Sequence, residues 1–118
     1  NNNLKKIVKI VHKEIRKKMI FFLKKNQNKK IIILDIPLLL ENKINKKNDV
    51  LIFVDSKKTE ILKRLKKRKN FNLKLLNKFK KIQLSLDYKK KRSSFIIKND
   101  FSNKTIRKSV KDILNKVK

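Results

Sequence analysis

Two arginines four residues apart, Arg64 and Arg68, stand out in a chain where only five of the 37 basic residues are arginine. A guanidinium offers a planar fork of donors that grips phosphate oxygens in pairs, which an ammonium cannot reproduce. On a helix the i and i+4 positions share a face, so this pair could reach the oxygens of one polyphosphate together. For Arg64 a solvated helix face is an equally open reading. Acidic and amide residues fall where apolar runs stop: Asp35 closes "KKIIILD", Asp55 closes "DVLIFVD" and Asn99 closes "SSFIIKN". An aspartate at a strand exit can orient water on a magnesium ion or cap the next turn, and both readings stand for Asp35. Asn99 can likewise be an ordinary turn residue. His12 is the only histidine and the chain has no cysteine, so a histidine or thiolate metal site is not offered. Its place beside an apolar stripe reads as a hydrogen-bonded structural histidine.

These groups need elements to hold them. Leu4, Ile7, Val8, Val11, Ile15, Met19, Phe22 and Leu23 recur at helical steps and predict an amphipathic helix over 4–25. Residues 30–35 and 49–55 are short apolar runs without alternation, as expected of parallel strands covered on both faces. Between them, 36–48 is a loop with room for one helical turn. It holds the only proline, Pro37, followed by Leu38, Leu39, Leu40 and Glu41. Ser56 is expected to cap a helix over 57–69 with Ile61, Leu62 and Leu65 inside. Leu75, Leu76, Phe79, Ile82 and Leu86 mark another helix. "SSFIIKND" holds a third strand, and Ser102 or Asn103 caps a last helix facing inward through Ile106, Val110, Ile113, Leu114 and Val117. Strands joined by helical crossovers predict a parallel sheet with ligands at its carboxyl edge. Asp35, Asp55 and Asn99 would share that edge.

Composition adds limits. The net charge of +28 suggests a polyanion binder at first sight. Yet glycine and cysteine are absent while Lys, Asn, Ile, Leu and Phe abound, the bias that A- and T-rich codons produce. The lysines also run along the whole chain, so the charge carries little functional information. Absence of cysteine excludes disulfides and fits a reducing cytoplasm. The apolar runs are too short to span a bilayer.

Read together, "IVHKEI" (10–15), "LDIPLLLEN" (34–42), "VDSKKTEILKRLKKR" (54–68), Gln83 and "SSFIIKND" (93–100) resemble, in order, the dephospho-CoA kinases, P-loop kinases of the nucleoside-monophosphate-kinase type. Pro-Leu-Leu-Leu-Glu is the most specific element; the shared order carries the rest. The resemblance implies an α/β fold, a three-layer parallel sheet of P-loop kinase type, incomplete at its N-terminus. It covers the larger C-terminal part of the family, with 1–28 as helical part of the substrate-binding region and 69–92 as a lid. It implies transfer of the γ-phosphoryl of ATP, with Mg²⁺, to the ribose 3′-hydroxyl of dephospho-CoA. Arg68, Arg64 and Asn99 would then face ATP. Pro37, Leu38, Leu39, Glu41 and His12 would face dephospho-CoA, Gln83 and Arg92 would belong to the lid, and Asp35 would touch magnesium through water. Lys13 stands where the family has proline and Lys98 where an acid is usual. A chain without glycine contains no Gly-x-x-x-x-Gly-Lys-Ser/Thr loop, and the family's catalytic aspartate has no counterpart here. The chain therefore reads as part of a longer enzyme, expected to be inactive alone.

Three other readings remain. One is a different small P-loop kinase, such as a nucleoside-monophosphate kinase, against which Pro-Leu-Leu-Leu-Glu argues. A second is a lysine-rich RNA-binding protein, which calls for aromatic or arginine readers on a basic face. One Tyr, no Trp and phenylalanines expected mostly on inner faces argue against specific nucleic-acid binding. A degraded, non-catalytic remnant kept as an interaction module is a third.

Overall fold

A computed structural model describes residues 2–117. They fall into two compact units, divided between Lys46 and Lys47.

In the first unit, helix α1 spans Asn2–Lys25. Its inward stripe is Leu4, Val8, His12, Ile15, Met19 and Leu23, of which only His12 is buried, at 7% exposure. This stripe is rotated from the expected one. Ile7, Val11 and Phe22, placed inside by spacing alone, are 56%, 47% and 46% exposed, because a wide apolar arc exceeds what the unit covers. Lys24 and Lys25 oppose the negative end of the helix dipole, and Asn26 turns its side-chain amide back to the Phe22 carbonyl at 2.9 Å. Residues 31–36, within the stretch expected as a strand, have no regular secondary structure and among the described residues join no ladder. A strand exists only through a partner, and among the described residues the sheet pairs only Ile52–Asp55 with Phe95–Lys98.

Pro37 opens a tight turn through Lys43, the helical turn that the loop had room for. It closes as a Schellman motif: the Ile44 amide donates to Leu39 O at 3.0 Å and the Lys43 amide to Leu40 O at 3.2 Å. The motif needs a left-handed residue at Lys43, which has φ 50°; Leu38 at φ 55° enters the turn the same way. Glycine normally takes such places. Ile44, just beyond, is buried to 6% exposure.

In the second unit the order is β1 (Ile52–Asp55), α2 (Lys58–Lys66), α3 (Leu73–Ile82), α4 (Leu86–Arg92), β2 (Phe95–Lys98) and α5 (Asn103–Val117). The two strands pair in parallel with Ile52 opposite Phe95 and Asp55 opposite Lys98. The Asn99 amide adds a rung to Asp55 O at 2.7 Å. The expected crossover and parallel pairing are thus present. Helix α5 packs on β2, and Ile97 and Ile113 are buried. The strands are not covered on both faces as their composition suggested: along β1, exposed Ile52 and Val54 alternate with half-buried Phe53 and Asp55.

Helix boundaries follow local capping. Ser56 does not cap α2; Lys57 holds that position without a side-chain bond. The stretch from Leu75 to Leu86, expected as one helix, is two. Asn72 caps α3 by accepting from the Leu75 amide, and Ser85 starts α4 by accepting from the Tyr88 amide. A serine hydroxyl that offers a new helix start competes with continuing the old one. Ser102 O accepts from the Ile106 amide at the start of α5.

Candidate functional site

The carboxyl ends of β1 and β2 bring Asp55 and Asn99 together, as parallel pairing requires. Asp55 accepts an ion pair from Lys90 of α4 at 2.8 Å, which ties that helix to the strand end.

The chain after β2 is built from its own polar side chains. Asn99 Oδ1 accepts from the Phe101 amide at 2.8 Å, an Asx turn. Asp100 accepts from the Ser102 amide at 2.8 Å and from the Thr105 hydroxyl at 2.9 Å. The Ser102 amide first, and the Thr105 hydroxyl second, hold the Asp100 carboxyl below its ordinary value of 3.8. Phe101 sits between these turns at φ 63°. Its ring receives the guanidinium of Arg64, 3.7 Å from ring centroid to Cζ. Arg64 and the Asn99 loop, separate in sequence, are therefore neighbours.

Arg68 is placed differently from the expectation. Helix α2 ends at Lys66, so Arg68 lies in the following turn, its amide bonded to Leu65 O at 3.1 Å. The shared helix face with Arg64 does not exist, because α2 lacks the turn that would carry it. Arg68 instead lines an open groove of about 310 Å³ with Leu65, Asn70, Phe71, Leu76 and Phe79. Gln83 ends α3 as its C-terminal cap and Arg92 is the last residue of α4, both exposed.

In the first unit, His12 Nε2 lies 3.0 Å from the side-chain amide nitrogen of Asn42. That nitrogen also donates to Leu38 O at 2.9 Å. An amide nitrogen only donates, so His12 Nε2 accepts and Nδ1 carries the proton, an assignment made from the partner. Among the described residues Nδ1 is buried without an acceptor. Arg16 donates to the Asn42 backbone carbonyl. Lys5, Lys9, Lys13, Arg16, His12 and Asn42 line an open groove of about 470 Å³, with no carboxylate in its wall among the described residues. Leu38, Leu39 and Glu41 are half-buried; Pro37 and Asp35 are exposed.

Sequence reasoning missed Asn42, Asp100, Phe101 and Lys90. Asp100 had a legible signal, a carboxylate two residues before a serine at a helix start; Phe101 had none, since aromatic residues rarely take a left-handed backbone.

Among the described residues no three His, Asp or Glu groups converge. Asp35, expected to reach magnesium through water, is exposed and belongs to no such cluster among the described residues. No helix among the described residues is long and apolar enough to cross a membrane.

The dephospho-CoA kinase family profile matches residues 1–105. A curated dephospho-CoA kinase of Wolbachia pipientis wMel is similar, 33% identical over 117 residues. That alignment takes in 98% of this chain, which spans 60% of the relative's length. The ordered motifs, the parallel crossover and these two matches agree: the chain belongs to the dephospho-CoA kinase family.

Proposed function

We propose that this chain is part of an enzyme that transfers the γ-phosphoryl of ATP to the ribose 3′-hydroxyl of dephospho-CoA, on a three-layer P-loop kinase core. The observation that supports it most is the family match across nearly the whole chain. Residues 47–118 supply the nucleotide side: Arg64 and Arg68 bind phosphate oxygens, Asn99 opens the loop beside the base, and 69–92, with Gln83 and Arg92, form the lid. Residues 1–46 supply the acceptor side, with Pro37, Leu38, Leu39, Glu41 and His12 holding dephospho-CoA. The carboxylate-free wall of the His12 groove suits an acceptor that carries phosphate groups. Magnesium bound with ATP would supply charge neutralisation on the phosphates, and Asp35 would help to hold it through water. What these side chains contribute is position and positive charge.

The chain holds no glycine-rich loop, so it lacks the amide cradle and lysine that phosphoryl transfer needs. The purified chain, and the same chain joined to a phosphate-loop segment of a related kinase, are assayed with ATP, Mg²⁺ and dephospho-CoA. The joined protein is expected to form CoA and the bare chain none above a no-protein control. CoA made by the bare chain would refute this placement of the chemistry.

A further inference from the structure

Phe101 is an anomaly that the phosphate-binding reading does not use. A bulky aromatic residue at φ 63° occupies backbone that disfavours any Cβ. Hydrogen bonds on both sides hold it there: its own amide donates to Asn99 Oδ1, and the next residue's amide to Asp100. The result of this constraint is the ring's position. It lies under the Arg64 guanidinium at 3.7 Å, in the loop that follows the carboxyl end of β2. A free arginine on an exposed helix samples many rotamers, and ordering it on a ligand costs entropy. A guanidinium already placed over a ring has lost part of that freedom, and Arg64 stays exposed to a ligand.

We propose that Phe101 is a positioning residue, its ring holding Arg64 ready to donate to an anionic polyphosphate at the carboxyl edge of the sheet. This rests on the reading of Arg64 as a phosphate ligand, and the experiment separates the two. Phe101 does not itself touch the phosphates; it acts through Arg64.

The test uses the full-length protein. The Arg64 Nε–Hε signal is followed by NMR, and binding of ATP and of inorganic tripolyphosphate is measured by calorimetry. Phe101→Gly removes the ring and eases the left-handed backbone, so a normal melting temperature separates lost positioning from lost folding. In the native protein the Arg64 signal is expected to show a ring-current shift, kept in Phe101→Tyr and lost in Phe101→Gly. Both ligands should bind Phe101→Gly about two- to fivefold more weakly, the range an exposed cation–π contact supports, with Phe101→Tyr near the native value. Combining Phe101→Gly with Arg64→Ala should cost no more than Arg64→Ala alone, since one residue acts through the other. Weakening confined to ATP would overturn the proposal, because it would mark Phe101 as a base contact. An unshifted Arg64 signal, or a lost stack with both affinities unchanged, would overturn it as well. If Arg64→Ala binds tripolyphosphate normally, the phosphate reading of Arg64 fails and the proposal falls with it.

Discussion

Arginine was the residue type that composition made conspicuous, and its two instances on one stretch ended in different settings. Arg64 is stacked on Phe101, whereas Arg68 stands in a turn at the rim of an apolar groove. In the full-length protein Arg68→Ala is expected to lower turnover with ATP by roughly ten- to hundredfold, the worth of a charge-assisted bond. Arg68→Lys should recover only part, because an ammonium lacks the fork. Steady-state rates of both variants check this, and unchanged rates would move the phosphate contact elsewhere. Asp100 gives a second residue-scale outcome. Its carboxyl is held low by the Ser102 amide and then by the Thr105 hydroxyl, so the folded state resists protonation. Its stabilising contribution is present above the ordinary value of 3.8 and is lost as pH falls through the lowered one. The Ser102 amide shift, followed against pH, should therefore titrate with a midpoint below 3.8, and Asp100→Asn should abolish that step. A midpoint at or above the ordinary value would mean that these bonds do not favour the charged form.

The turn over residues 37–43 shows what absence of glycine costs at the element scale. Its Schellman closure places Lys43 at φ 50°, where Cβ crowds the following carbonyl. Lys43→Gly is expected to stabilise the chain by about 1 kcal/mol, with Lys43→Ala giving no such gain because it keeps the Cβ. Equilibrium urea unfolding of the two variants measures the difference; equal midpoints would show that the left-handed residue is not strained. The same scale explains where helix boundaries were misread. Apolar spacing runs through Leu84 and Leu86, but a hydrogen bond to Ser85 begins a new helix there. Periodicity reports which face is apolar and is silent on where a cap interrupts it.

For the whole molecule the dominant quantity is a charge of +28 spread along the sequence. Such a chain should bind single-stranded polynucleotides through counterion release, with affinity falling steeply as salt rises. Filter binding to homopolymer RNAs across a salt series should find one common curve for all bases. Base-dependent binding that persists at high salt would instead favour the RNA-binding reading of the sequence.

Much of this protein was determined locally. Family membership was legible in Pro37–Glu41 and in the order of the surrounding motifs. The parallel crossover was legible too, because apolar runs ending in Asp55 and Asn99 and separated by helical periods admit few topologies. The long first helix followed from spacing over 4–25. Other features were settled by contacts between residues distant in the chain. Residues 31–36 have the composition of a strand, but composition cannot supply a partner. His12 was legible as a hydrogen-bonded histidine, yet its partner, Asn42, lies 30 residues away and is brought near only by the tight turn after Pro37. Arg64 and Arg68 looked like a pair because spacing assumes an unbroken helix. The helix ends between them, and tertiary structure gives Arg64 the ring of Phe101 through a left-handed turn that no apolar pattern encodes.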